Sequence, residues 1–158
     1  MSVFAGVRKL SDVASQVIVE LSTNSDSLVG SWNFVTLTSG KYYFQLDGNL
    51  GRFDLQPNTL NSAPQTNTLS CMYDFLQSGR LLEALPKINN IVPAVTAGGV
   101  ADAGTGNFGN YPLYFGMRAG TSLPFSGQEY QMIIVGKTLS AAQITSTETF
   151  VNNRTKAY

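Results

Sequence analysis

Apolar and polar positions along this chain alternate mainly with a period of two. Val3, Ala5 and Val7 alternate with Phe4, Gly6 and Arg8, and Val17, Val19 and Leu21 alternate with Gln16, Ile18 and Glu20. Successive side chains on a strand point to opposite faces, so this period predicts strands at both places, with a turn at Leu10, Ser11 and Asp12 between them. The same reading predicts strands over 32–37, 42–46, 51–55, 68–76, 81–88, 91–96, 113–117 and 128–135. Turn-forming residues separate them: Ser39 and Gly40; Asp47, Gly48 and Asn49; Gln56, Pro57 and Asn58; Ser78 and Gly79; Ser126 and Gly127. Residues 58–67 and 97–110 read as loops. About ten short strands with no interleaved helical pattern predict an all-β fold, an antiparallel sandwich of two sheets, and argue against a parallel α/β sheet.

The period changes once, at the end of the chain. Ser140 is placed to cap a helix, Gln143 three residues on completes a capping box, and Leu139 can pack on Ile144 as a hydrophobic staple. Ile144, Phe150 and Val151, with Thr147 between them, give an apolar stripe over two turns. A short C-terminal α-helix is expected over about 140–152, docked on the sandwich.

Composition narrows the function. A chain of 158 residues suits one sandwich domain spanning 1–158. Ten basic and ten acidic residues cancel, and charged residues make up 13%, about half the usual share of roughly 25%. This balance argues against nucleic acid and against anionic membranes. The longest apolar runs, such as 132–135, are far too short for membrane insertion. A weakly charged surface resists association little, so a homo-oligomer is expected. Cys71 stands alone, the first residues show no secretory pattern, and maturation in a reducing cytoplasm is the expectation. No histidine occurs, which excludes histidine-based nucleophile activation and histidine–metal chemistry.

Gly104, Gly106 and Gly109 have the spacing of a dinucleotide loop, but no strand precedes them. Pro112 falls where the required helix would have its interior, so a nucleotide site is not expected. Glu20, Asp54, Asp74, Glu83 and Glu129 are each isolated in their segments and read as solvent-facing strand residues. No pair at i and i+2 is present to flank a glycosidic bond, and no catalytic residue is assigned. Asp47, Gly48 and Asn49, which read as a turn, and Asp102 form no dense acidic loop for calcium, so no metal and no cofactor is expected. Arg8, Lys9, Arg52, Arg118 and Lys137 are scattered and read as solvated. One loop carries binding chemistry: Asn107, Phe108, Asn110 and Tyr111 combine aromatic faces with amides, as a carbohydrate site requires. Trp32 or the pair Tyr42 and Tyr43 can add a platform, although Trp32 and Phe34 also alternate as core residues do.

The runs VFAGVRKLSD (3–12), GTGNFGNYPLYFGMRAGTSLPFSG (104–127) and IIVGKTLSAAQITSTETFVNNRT (133–155) resemble laminin-G-like, concanavalin A-like lectin β-sandwich domains of bacteriophage virion proteins. The resemblance implies a jelly-roll of two antiparallel sheets and a non-enzymatic structural role in a tail fibre, tail or capsid decoration. Other virion proteins would then be the partners, and the bacterial host cytoplasm the place of assembly. Such domains commonly carry further strands ahead of the segment matching VFAGVRK. Either the chain is a shortened sandwich, or an edge strand left open near its start is covered by a neighbouring subunit, and coverage within an assembly is the favoured expectation. The alternative is a carbohydrate-binding adhesin module that recognises host-surface glycans through residues 104–111. A glycan hydrolase has only the fold in its favour.

Overall fold

The computed structural model describes residues 1–23 and 28–158. In chain order its strands are β1 (Ser2–Lys9), β2 (Gln16–Leu21), β3 (Trp32–Thr36), β4 (Tyr42–Gly48), β5 (Gly51–Pro57), β6 (Gln65–Tyr73), β7 (Ala84–Ile88), β8 (Val95–Gly99), β9 (Leu113–Phe115) and β10 (Gly127–Val135). A single helical turn, α1 (Arg80–Glu83), precedes β7, and α2 (Ala141–Thr155) follows β10. All named strand pairs are antiparallel. They form a four-stranded sheet in the order β10-β1-β6-β7 and a six-stranded sheet in the order β8-β5-β4-β3-β2-β9. The expected all-β jelly-roll sandwich is the fold.

The core lies between the sheets, where alternation sends Val3, Ala5 and Val7 from β1 against Trp32, Phe34, Phe44 and Leu46 from β3 and β4. Phe34 meets Phe44 edge-on at 4.7 Å and Trp32 lies 5.7 Å from Tyr73, geometries worth about 1 kcal/mol per pair beyond their buried area. Tyr42 is buried with its hydroxyl accepting from Asn67 Nδ2 at 3.0 Å. Burial holds its phenol far above the ordinary range.

α2 covers the outer face of the four-stranded sheet. Ser140 Oγ accepts the Gln143 amide, and the Gln143 side chain accepts the Ser140 amide in return, which forms the expected capping box. Val151 packs on Phe4 and Met72, with Leu139 and Ile144 beside them. At Gly6 a Cβ would overlap Thr155 Oγ1, so glycine lets the helix approach the strand closely.

Three expectations need correction. First, β1 is not an edge. It pairs with β10 on one side and β6 on the other over its whole length, because the chain returns from its far end to cover it. Second, the segment 81–88 begins as helix: Gly79 adopts φ 98° and the amides of Leu82 and Glu83 bond back to its carbonyl, leaving Leu81 and Leu82 exposed. Third, the strand expected at 91–96 starts only at Val95. Asn89 and Asn90 take left-handed backbone in a turn, and Pro93 has no amide to donate.

Candidate functional site

Register decides what the outer face of the six-stranded sheet presents. Strand pairing sets Glu20 beside Tyr114 on one side and Asn33 on the other, Asn33 beside Gln45, Gln45 beside Asp54, and Asp54 beside Gly98. One transverse row thus crosses all six strands, with polar groups on five of them. A second row holds Ser31, Asp47 and Arg52, and a third holds Val17, Val35 and Tyr43. Glu20 reaches this face through a register shift between Val17 and Val19. The extra residue turns both Ile18 and Val19 into the core, so that Val17 and Glu20 share the outer side.

The centre of the face is a hydrogen-bonded chain. Ser31 Oγ and Gln45 Nε2 donate to Asp47 Oδ2 at 3.1 and 2.7 Å, and Asn33 Nδ2 donates to Gln45 Oε1 at 3.2 Å. At the β2 side, Ser22 Oγ donates to Glu20 Oε1 at 2.7 Å and Arg118 Nε to Glu20 Oε2 at 2.9 Å. Glu20, Asn33, Gln45 and Asp47 are all at most 3% exposed. Burying such groups unpartnered costs about 1–3 kcal/mol each, so the chain of donors is what makes the row tolerable. Above this floor stand groups that solvent reaches: Tyr43, Asp54, Gln56 and Tyr114 are half-buried, and Arg52 and Thr96 are exposed. A Cβ at Gly98 would lie 2.8 Å from Asp54 Oδ1, so glycine there leaves the carboxylate its place.

Arg118 arrives from outside the sheet. Gly116 N bonds to Ile18 O and Val17 N to Leu123 O, so residues between them leave the β2 edge and return to it. A turn from Arg118 to Ser122, with Ala119, Gly120 and Leu123 at positive φ, shapes that excursion and sets Arg118 beside Glu20. This corrects the expectation that both are solvated: Glu20 is fully buried and Arg118 is held against it. Their pairing spans 98 positions, which no local pattern records. Glu83 is also sealed, accepting the Ala103 amide at 3.0 Å, and burial raises its carboxyl above the usual range. Asp102 is held low by the Ser78 hydroxyl first and then by the Gly104 and Gly79 amides. The oxygens of Asp102 and Asp47 thus accept protein donors.

The glycine-rich loop is anchored at the β3–β4 end of the same sheet. Gly109 N bonds to Gly30 O at 3.0 Å, and Gly30, at φ 85°, has no room for a Cβ beside the Asn107 carbonyl and the Gly109 amide. Phe108 lies 5.1 Å from Phe75 and packs on the core, and Tyr111 Oη donates to Val29 O at 2.9 Å. Asn107 and Asn110 remain exposed. The structure therefore gathers the four predicted loop residues but uses both rings in packing. Trp32 and Tyr42 are core residues, and Tyr43 alone of the expected platform aromatics faces outward. The loop leads into β9, with no helix after its glycines. What sequence reasoning missed is the polar row. Its signal was the repeated Asn, Gln or Asp at the outward position of successive strands, readable only once the register is known.

No protein-family model and no curated protein matches the chain in sequence. Solved structures do match its fold. The CBM40 domain of the Ruminococcus gnavus IT-sialidase, bound to alpha2,3 sialyllactose, superposes with a TM-score of 0.67 at 15% identity, over 93% of this chain and 80% of that one. The same domain bound to alpha2,6 sialyllactose gives 0.64 at 14%, over 93% and 82%. A botulinum neurotoxin type C structure, of a toxin whose cell entry depends on interaction with two ganglioside molecules, gives 0.61 at 11%, over 95% of this chain and 35% of that one. At these identities the likeness is one of fold: a jelly-roll β-sandwich shared with carbohydrate-binding modules.

Proposed function

We propose that the chain is a non-catalytic carbohydrate-binding module and that the outer face of its six-stranded sheet is the binding surface. The observation that carries this reading is the transverse polar row, Tyr114–Glu20–Asn33–Gln45–Asp54, at one register across the sheet, whose sealed centre, Glu20, Asn33 and Gln45, lies under the solvent-reached Tyr114 and Asp54. A face meant only to be stable would hold apolar residues or scattered surface charge. A planar array of amides and carboxylates with tyrosines at hand is the chemistry that recognises ring hydroxyls. The shared fold with modules solved in complex with sialyllactose supports the reading. The same face would serve a host-attachment module of a bacteriophage virion, which keeps the expectation drawn from the sequence resemblance within this proposal.

A glycan array followed by calorimetry on the best ligand tests it. Asp54→Ala and Tyr43→Ala are expected to weaken binding about tenfold or more, as loss of a charge-assisted hydrogen bond and of a stacking ring should. Phe108→Ala is expected to leave affinity within about twofold, because its ring packs on Phe75. The reverse pattern would move the site to the loop at 104–111.

A further inference from the structure

We infer that this face selects neutral, hydroxyl-rich glycans over carboxylate-bearing ones, an inference that rests on the carbohydrate-binding reading above. It separates this chain from neighbours of the same fold whose bound ligand, sialyllactose, carries a carboxylate.

Hydrogen-bond direction along the row supplies the first argument. Asp47 Oδ2 accepts from Gln45 Nε2 at 2.7 Å, and a carboxylate can only accept. The Gln45 amide must therefore turn its NH₂ toward Asp47 and its Oε1 toward Asn33. Asn33 must answer with Nδ2, as it does at 3.2 Å. The carboxylate at one end thus fixes the sense of both amides and leaves Asn33 Oδ1 buried with no donor in the protein. That oxygen is sealed from solvent, so the acceptor that the row offers to a ligand is Asp54, beside Gln45 in the register and reached by solvent. Acceptors match the O–H donors of sugar hydroxyls and offer nothing to an incoming carboxylate.

Charge supplies the second. The three rows hold Glu20, Asp47 and Asp54 against one cation of their own, Arg52, which the register sets beside Asp47. The guanidinium that reaches over them, Arg118, is neutralised by Glu20 at 2.9 Å. A ligand carboxylate would enter a face whose two guanidinia, Arg52 and Arg118, already stand beside Asp47 and Glu20, while Arg80 at the end of the row is engaged with the Gly98 and Gly99 carbonyls at 3.3 and 3.5 Å. Capturing it there would mean competing with the acids and carbonyls that already hold these cations, with Asp54 as a like charge beside it.

Paired glycans that differ only in a terminal sialic acid, lactose and sialyllactose among them, test this by array and calorimetry on the intact chain. The sialylated member of each pair is expected to bind no more tightly than its neutral counterpart. Affinity for the neutral member should stay within about twofold between roughly 50 mM and 500 mM salt. Asp54→Asn, which removes the accessible negative charge with little change of shape, is expected to raise the sialylated-to-neutral affinity ratio about fivefold. Sialyllactose binding tenfold tighter than lactose, or an Asp54→Asn ratio that does not move, would overturn the inference and leave the carbohydrate reading standing. Absence of binding to every glycan of both classes, by protein with native circular dichroism, would overturn both.

Discussion

The two sheets of this sandwich turn opposite kinds of outer face to their surroundings. On the four-stranded sheet Phe4 and Met72 lie under Val151 of α2, with Ile133, Leu139 and Ile144 closing the rim. Its one buried carboxylate, Glu148, is fully used: Ser70 Oγ donates to it at 2.7 Å and Lys87 Nζ at 3.2 Å. On the six-stranded sheet the corresponding layer is the polar row, and no helix among the described residues packs on it. Apolar groups on the first face are satisfied by burial alone. Polar groups on the second are held by one another, and at the β5 end of the row Asp54 is reached by solvent. The first arrangement is complete within the chain. The second keeps solvent-reached polar groups above a sealed polar floor, which is what the proposed binding face would offer a ligand.

The largest effect is expected where the comparison is broken on the sealed side. Val151→Asp would place a charge among Phe4, Met72 and Ile144 with no partner, at a cost of about 4 kcal/mol. For a chain of this length that lowers the melting temperature by about 10 °C, which calorimetry would read. Protein still folded below that transition is expected to retain its glycan affinity, because α2 packs on β1, β6 and β10 of the other sheet.

A smaller loss of stability with a larger loss of function is expected on the other face. Asp47→Ala leaves Ser31 Oγ and Gln45 Nε2 without their shared acceptor, a cost of about 2 kcal/mol. It also frees the Gln45 amide to turn over, which removes the directional order of the whole chain. Denaturant unfolding should show the modest destabilisation, and calorimetry the disappearance of measurable glycan binding. Equal losses from Asp47→Ala and Val151→Asp in both assays would erase the distinction between the faces.

The sequence made the layers legible and hid the site, for reasons that can be traced to particular residues. Alternation at Val3, Ala5 and Val7 shows strand because a sheet with one buried face repeats every two residues. The helix was readable from Ser140 and Gln143 because a capping box is a local device. Position in the sheet is not local: β1 looked like an exposed edge until β10, more than a hundred residues on, paired with it. The polar row is hidden for the same reason doubled. Glu20, Asn33, Gln45 and Asp54 become neighbours only through three strand registers, and the shift at Val17 and Val19 changes which face Glu20 occupies. The loop at 104–111 drew attention because its aromatic and amide residues are adjacent in sequence. The fold then used Phe108 and Tyr111 for packing and anchorage.

The smallest effect concerns an acid that belongs to neither face and so isolates the pH behaviour of the sandwich from that of its carboxylate rows. Glu129 stands on β10, the edge strand, opposite Val7; the residue as a whole is exposed, and desolvation of its carboxyl by the surrounding strands pushes that group up to about 7. The unfolded chain would release that proton near the ordinary glutamate value of about 4.3. Between these two values the folded form holds a proton that the unfolded form has lost. Stability therefore falls as pH rises through that window, and the contribution present below it is gone above about 7. Glu129→Gln, which keeps the shape and cannot ionise, is expected to flatten this limb of the melting-temperature profile between about pH 4.5 and pH 7.5 while leaving glycan affinity unchanged. Parallel profiles for the two proteins would show instead that the pH response comes from the carboxylates of the faces, and the separation of binding face from structural edge would then be less clean than the geometry implies.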